Sequence, residues 1–232
     1  MQEVPLTSVK LNPADIKAEL ERRRYNFKDT IFPDTGPLRR ELYPRHMDFL
    51  RATKDHREVA MIAANRVGKS IAMIYAIDCF LRGEYPHWWE GRVFKKNVNC
   101  LVAGETGKLV RDSIQMKLMG PPGDLGSGMI PKSAIIDVRP KAGIPDAIDT
   151  ARIRHVSGRD SILQFGSFDQ GREAFQATER DVVALDEEPP MDVYSEALIR
   201  LMTTQGLLLA AFTPLKGISE VVLSFMDSGV KG

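Results

Sequence analysis

Three short segments carry the residue types from which phosphate chemistry is built. The first is AANRVGKS, Ala63 to Ser70, where a glycine, a lysine and a hydroxyl close a polar loop between two apolar runs. Backbone N–H groups in such a loop converge on an anion, and the dipole of a following helix adds to their field. Lys69 is placed to reach the β- and γ-phosphates of a nucleotide and the Ser70 hydroxyl to coordinate Mg²⁺, with Ala64, Asn65, Arg66, Val67 and Gly68 forming the rest of the cradle. The pattern G-x-x-x-x-G-K-[ST] begins with glycine, whereas this chain has Ala63. A Cβ costs roughly 1–2 kcal/mol wherever the backbone must be left-handed, so the sequence predicts an altered entry to the loop.

The second segment is DVVALDEEPP, Asp181 to Pro190, in which an apolar run delivers Asp186 and Glu187 to the C-terminal end of a strand. Open α/β sheets bind their ligands at that edge. The segment resembles a Walker B element, in which Asp186 would hold Mg²⁺ directly or through water and Glu187 would polarise the water that attacks the γ-phosphate. A solvated acidic turn before a proline pair is the plain alternative. The third segment, LLLAAFTPLKG, ends a buried strand at Thr213, which either senses the γ-phosphate or caps the next turn.

These residues need a sheet to position them. From Val59 onward, short apolar runs alternate with helical segments, the pattern of a mostly parallel sheet covered on both faces. Strands are predicted at 59–63, 98–103, 134–138, 162–168, 182–186 and 207–212, and helices at 70–83, 108–119, 193–203 and from about Ile218. The segments 121–128 and 139–150 read as loops or insertions. The stretch between Lys69 and Asp186 has room for at least two strands, which favours an α/β P-loop NTPase of the additional-strand, catalytic-glutamate class. Residues 1–43 read as an N-terminal helix, with Asn12 as its N-cap and Pro13 in its first turn, followed by a proline-rich linker wrapping onto a core of residues 44–232.

Composition narrows the class further. With 43% hydrophobic and 27% charged residues the chain can bury a substantial core, so disorder, collagen and coiled coil are excluded. A net charge of +1 gives no uniformly basic surface, and any DNA contact must rest on a local patch. Arg22 to Arg24, Lys95 with Lys96, and Arg152 with Arg154 are candidates of equal standing, either as phosphate binders or as solvated faces. Cys79 and Cys100 sit in apolar runs and the four histidines are scattered, which speaks against a metal site of nitrogen or sulfur ligands. No apolar run reaches membrane-spanning length and no signal-peptide core is present, so no membrane association is expected. Trp88 and Trp89 are read as packing under the helix that follows the AANRVGKS loop, with a partner surface as the alternative.

Taken in order, AANRVGKS with its arginine before the GKS, HWWEGRVF (87–94), and FGSFDQGREAF through DVVALDEEPP to TPLKG resemble the ATPase core of the large terminase subunit of tailed bacteriophages. The resemblance runs from about Pro44 to Gly217. It implies an ATP- and Mg²⁺-dependent motor that translocates double-stranded DNA into a procapsid. Such a motor would act as a homo-oligomeric ring on the portal protein, with a small terminase subunit as partner, in the host cytoplasm. It implies that Arg66 contacts the γ-phosphate region or resets the loop, the plain alternative being an exposed arginine paired with a carboxylate. It assigns adenine contact to Tyr43, Pro44 and His46, the histidine standing where the family has glutamine. An arginine supplied by the neighbouring subunit is also implied, for which Arg172 and Arg180 are candidates because Gln176 occupies the aligned position. The few residues after Gly217 cannot hold the family's nuclease domain, so no endonuclease activity is expected. A helicase-like remodelling ATPase and a nucleotide-gated ring-assembly module are the competing readings.

Overall fold

The computed structural model describes residues 12–176, 178–215 and 217–227. The strand segments VVALD and LLLAAF are apolar throughout because both faces of their sheet are covered, and every residue of Val182–Asp186 (β6) and Leu207–Phe212 (β7) is buried. With Glu58–Ile62 (β1), Asn99–Gly104 (β2), Ile135–Pro140 (β3), Ile148–Arg154 (β4) and Asp160–Ser167 (β5) they form a seven-stranded sheet of order β1-β7-β6-β2-β5-β4-β3. The first five strands of that order run parallel, while β4 pairs antiparallel with both β5 and β3. β7 lies between the strand that feeds the AANRVGKS loop and the strand that ends in Asp186 and is the added central strand; the sequence argued for one from the stretch between Lys69 and Asp186, whereas β7 follows Asp186 in the chain.

The helices divide the core into two layers. On one face, Pro44–Ala52 (α2) and Lys69–Arg82 (α3) pack on the sheet with the run Gly107–Val110 (α4), a π turn at Arg111–Gln115, and Met116–Met119 (α5). On the other face lie Met191–Met202 (α6) and Glu220–Asp227 (α7), with Phe168 and Phe175 filling the gap beside them. α3 ends where glycine permits it: Gly83 adopts φ +70° and its N–H returns to the Cys79 carbonyl. Trp88 stacks on Tyr75 and Trp89 meets Phe80 edge-on, so both tryptophans pack against α3 as predicted.

The N-terminal helix Pro13–Tyr25 (α1) begins as read, with Asn12 accepting a hydrogen bond from the Ala14 N–H at 3.1 Å. Beyond it the chain crosses α3 as a strap anchored by Phe32, which is 4% exposed and packs edge-on against Tyr75. Of the Arg22–Arg24 group, the side chains of Arg22 and Arg23 lie outside the described residues, and Arg24 pairs with Asp124 at 2.5 Å.

Two elements depart from the sequence reading. The segment 139–150 is not a plain loop, since its ends belong to the β3–β4 hairpin, and β4 was not predicted. Its alternation is short: Ala151 and Ile153 are buried and Arg152 and Arg154 exposed, so one face is open, but Asp149 and Thr150 are both half-buried and interrupt the period-two signal after Ile148. α2 was likewise missed because only His46, Phe49 and Leu50 of its residues are buried.

Candidate active site

The edge formed by the C-terminal ends of β1, β7, β6 and β2 gathers the predicted residues. At the end of β1 the chain turns through Ala63 to Gly68 and enters α3, whose first two residues are Lys69 and Ser70. The loop turns on positive φ at Arg66 (+65°) and Gly68 (+86°). Ala63 is not among the residues with positive φ, so its Cβ adds no left-handed strain, and the altered entry expected from the missing glycine is not needed. Arg66 sits exposed at the loop apex without an ion pair among the described residues.

Lys69 is buried, and its ammonium donates to the carbonyls of Ala63 (3.0 Å) and Ala64 (2.8 Å) and to Thr213 Oγ1 (2.8 Å). Thr213 follows β7, and its hydroxyl can donate in turn to Asn65 Oδ1 at 2.7 Å or to Ala63 O at 2.9 Å. Strand order explains the meeting: β7 pairs with β1 as far as Ile62 and Phe212, so the residues just beyond both strands face each other.

Ser70 Oγ donates to Asp186 Oδ1 at 2.6 Å. Burial pushes the Asp186 carboxyl above its ordinary value, opposed by the Ser70 hydroxyl and by the positive charges of Lys117 and Lys69. A hydroxyl and a carboxylate side by side are the hard oxygen donors that Mg²⁺ takes when it keeps most of its shell for water and phosphate. Glu187 comes next in the chain but turns on φ +79°, a conformation that bulky residues avoid, and this swings its carboxylate out of the strand direction. Its backbone N–H stays on the sheet, bonded to Ala211 O at 3.0 Å. Burial and the adjacent Asp186 raise the Glu187 carboxyl, while Lys69 and the Thr213 backbone N–H pull it down.

A cleft of about 670 Å³ opens in front of these groups, lined by Asn65, Glu105, Thr106, Ser113, Asp169, Asp186, Glu187, Glu188 and Thr213 among others. Its volume is that of a small-molecule site. The sequence reading did not single out Glu105, Thr106, Ser113 or Lys117. They enter because β2 lies directly beside β6, so the end of β2 and the helix that follows share the Asp186 edge, and Lys117 Nζ donates to Ser113 Oγ there at 3.1 Å. No local motif marks them, and only the strand order could have found them.

Other predicted residues are placed differently from one another. Tyr43 precedes α2 and is half-buried against Phe32, and Pro44 lines a separate hollow with Arg40, Met47 and Trp88. His46 is buried, with Nε2 2.8 Å from the Val67 carbonyl, so its ring faces the back of the loop. Arg172 is exposed in the turn Arg172–Phe175. Arg180 is not available to a neighbouring subunit: it is 3% exposed at the opposite end of β6 from Asp186, and its guanidinium is bonded to Asn99 Oδ1 (2.6 Å) and to Gln164.

A comparison with protein-family models finds no match. The large terminase subunit of Salmonella phage P22 is 30% identical over 234 aligned positions, which cover 92% of this chain and 46% of that protein. The large terminase of a thermophilic bacteriophage superposes with a TM-score of 0.58 at 14% identity, covering 80% of this chain and 41% of that one. A crystal form of the same thermophilic terminase in complex with ADP gives a TM-score of 0.52 at 15% identity, again covering 80% and 41%. The chain therefore spans about half the length of the relatives it matches. The chain is thus similar in sequence to a phage large terminase subunit and, with its phosphate-loop strand, added central strand and Asp-Glu strand in the order found here, has the α/β fold of the solved terminases.

Proposed function

We propose that this chain is the ATPase motor domain of a phage large terminase, hydrolysing MgATP to drive double-stranded DNA through the portal into a procapsid. The observation that carries the reading is the convergence of Lys69, the Ser70–Asp186 pair, Glu187 and Thr213 on one sheet edge. The solved complex of the thermophilic phage terminase with ADP supports a nucleotide as the ligand of this reading.

Loop amides and Lys69 bind and orient the triphosphate. Ser70 and Asp186 would hold Mg²⁺, which supplies charge neutralisation at the β- and γ-oxygens. Glu187, once ionised, accepts the proton of the attacking water. Lys69 gives the mechanism a built-in exchange. All three of its protons are taken by Ala63, Ala64 and Thr213, so it must give up one of them to meet a phosphate, and Thr213, the partner that lines the cleft, is the one it would leave and return to when phosphate departs. Thr213 follows β7 directly, and this exchange is the step that would pass the state of the site to the DNA-gripping surface. The ring, the portal and the small terminase subunit are the partners this function requires. Arg172 is the exposed candidate for the arginine given to a neighbouring subunit.

Glu187→Gln tests the assignment. The variant should bind MgATP with wild-type affinity and lose about 100- to 10,000-fold in turnover, whereas Lys69→Ala should lose affinity as well. Phosphate release and nucleotide titration measure the two effects. Near-normal turnover in the glutamine variant would move the base to Glu188, which lines the same cleft.

A further inference from the structure

His46 lies behind the phosphate loop rather than in the cleft, and the mechanism above does not use it. It is 8% exposed, its ring packs between Phe32 at 5.8 Å and Tyr43 at 5.3 Å, and Nε2 donates to the Val67 carbonyl at 2.8 Å. The next residue, Gly68, is in the left-handed region at φ +86°, and a Cβ built there would stand 3.0 Å from His46 Nε2. The Val67 carbonyl and the Gly68 N–H belong to one planar trans peptide and point in opposite directions. Fixing the carbonyl against His46 therefore aims the Gly68 N–H away from the ring, toward the outer side of the loop where the proposed nucleotide phosphate would bind.

We propose that His46 is a positioning residue for the phosphate loop: held by the N-terminal strap through Phe32, it pins the Val67–Gly68 peptide and so presets the amide that meets the nucleotide phosphate. The inference rests on the nucleotide-site reading but concerns a residue outside the reacting groups.

Side-chain reach supplies the test. Glutamine carries an N–H as far from the backbone as the ring's Nε2, while asparagine reaches only as far as Nδ1, so H46Q can keep the bond and H46N cannot. With a fluorescent N-methylanthraniloyl ADP and Mg²⁺ as probe, H46N should bind about five-fold more weakly than wild type, the loss of one hydrogen bond, and H46Q within two-fold. In steady-state hydrolysis KM should move with kcat unchanged. Backbone amide exchange at Gly68 and Lys69 without nucleotide should be faster in H46N than in H46Q. Equal binding by the two variants, or equal losses in both together with a fall in Tm, overturns the proposal. If H46N folds poorly, H46Q decides alone, and weakened binding at an unchanged Tm refutes the role. If wild type fails to bind the probe, the nucleotide reading fails instead, and the amide exchange rates still decide whether His46 pins the loop.

Discussion

The strap is fastened to the phosphate-loop helix by a buried charge, and removing its partner gives a sharp test of how the N-terminal segment supports the site. Asp78, in the middle of α3, is 0% exposed; its Oδ2 lies 2.6 Å from Lys28 Nζ and 3.5 Å from Arg82, while Oδ1 has no hydrogen-bond partner among the described residues. Burial pushes the Asp78 carboxyl up and the Lys28 ammonium pulls it down. Lys28→Met leaves a buried carboxylate with only the longer contact to Arg82, a change that typically costs about 3–5 kcal/mol. For a domain of this size that corresponds to roughly 10 °C in Tm. The effect should depend on pH. Without Lys28 the folded-state pKa of Asp78 rises further above its unfolded value, so the stability tied to its protonated form is full below the unfolded pKa and is lost as pH rises through the folded one. The deficit of K28M relative to wild type should therefore be small near about pH 5 and largest near about pH 8. Urea unfolding followed by circular dichroism at both values measures it. The double variant K28M/D78N removes both charges and should recover most of the loss, because a neutral pair of similar volume avoids the stranded charge. A deficit under about 1 kcal/mol, or one that does not grow with pH, refutes the reasoning.

Two further substitutions probe the site itself. Asp186→Asn keeps an acceptor for the Ser70 hydroxyl but removes a charge whose ionisation burial opposes, so in metal-free protein at neutral pH it should raise Tm by a few degrees while abolishing Mg²⁺-dependent turnover; an unchanged or lower Tm counts against the site's electrostatics as described. Thr213→Val removes the hydroxyl that competes with the γ-phosphate for Lys69, so isothermal titration should find a non-hydrolysable MgATP analogue bound about ten-fold more tightly, and weaker binding would contradict the exchange at Lys69.

The parallel half of the fold was legible because its strands are buried on both faces and so appear as unbroken apolar runs, as in VVALD and LLLAAF. The hairpin was not, because the alternation of β4 is confined to residues 151–154, with Asp149 and Thr150 breaking it after Ile148. Contiguous motifs gave Lys69, Ser70, Asp186, Glu187 and Thr213, whose meeting follows from strands ending at a common edge. Residues brought in by strand order alone, such as Ser113 and Lys117 beside Asp186, left no local mark. Arg180 was misjudged for the same reason: it lies near the acidic pair in sequence, but a strand separates the two, and the length of β6 puts them at opposite ends of the sheet. The concern over Ala63 came from taking a pattern's first glycine as a demand for left-handed backbone, which the loop places instead at Arg66 and Gly68.

The phosphate loop is held in two physically different ways, and the difference says which side of it can move. Behind it, His46, Phe32 and the Lys28–Asp78 pair are buried, and separating them would expose aromatic surface or strand a charge. In front, Lys69 and Asn65 are tied to Thr213 by hydrogen bonds that face a cleft, where water or phosphate oxygens can replace each partner with little net change in energy. On the proposed function, a nucleotide entering the cleft would therefore exchange the front contacts and leave the rear ones in place. The motion it can drive is carried by β7 and the turn after Thr213, while the strap and α3 serve as the fixed frame.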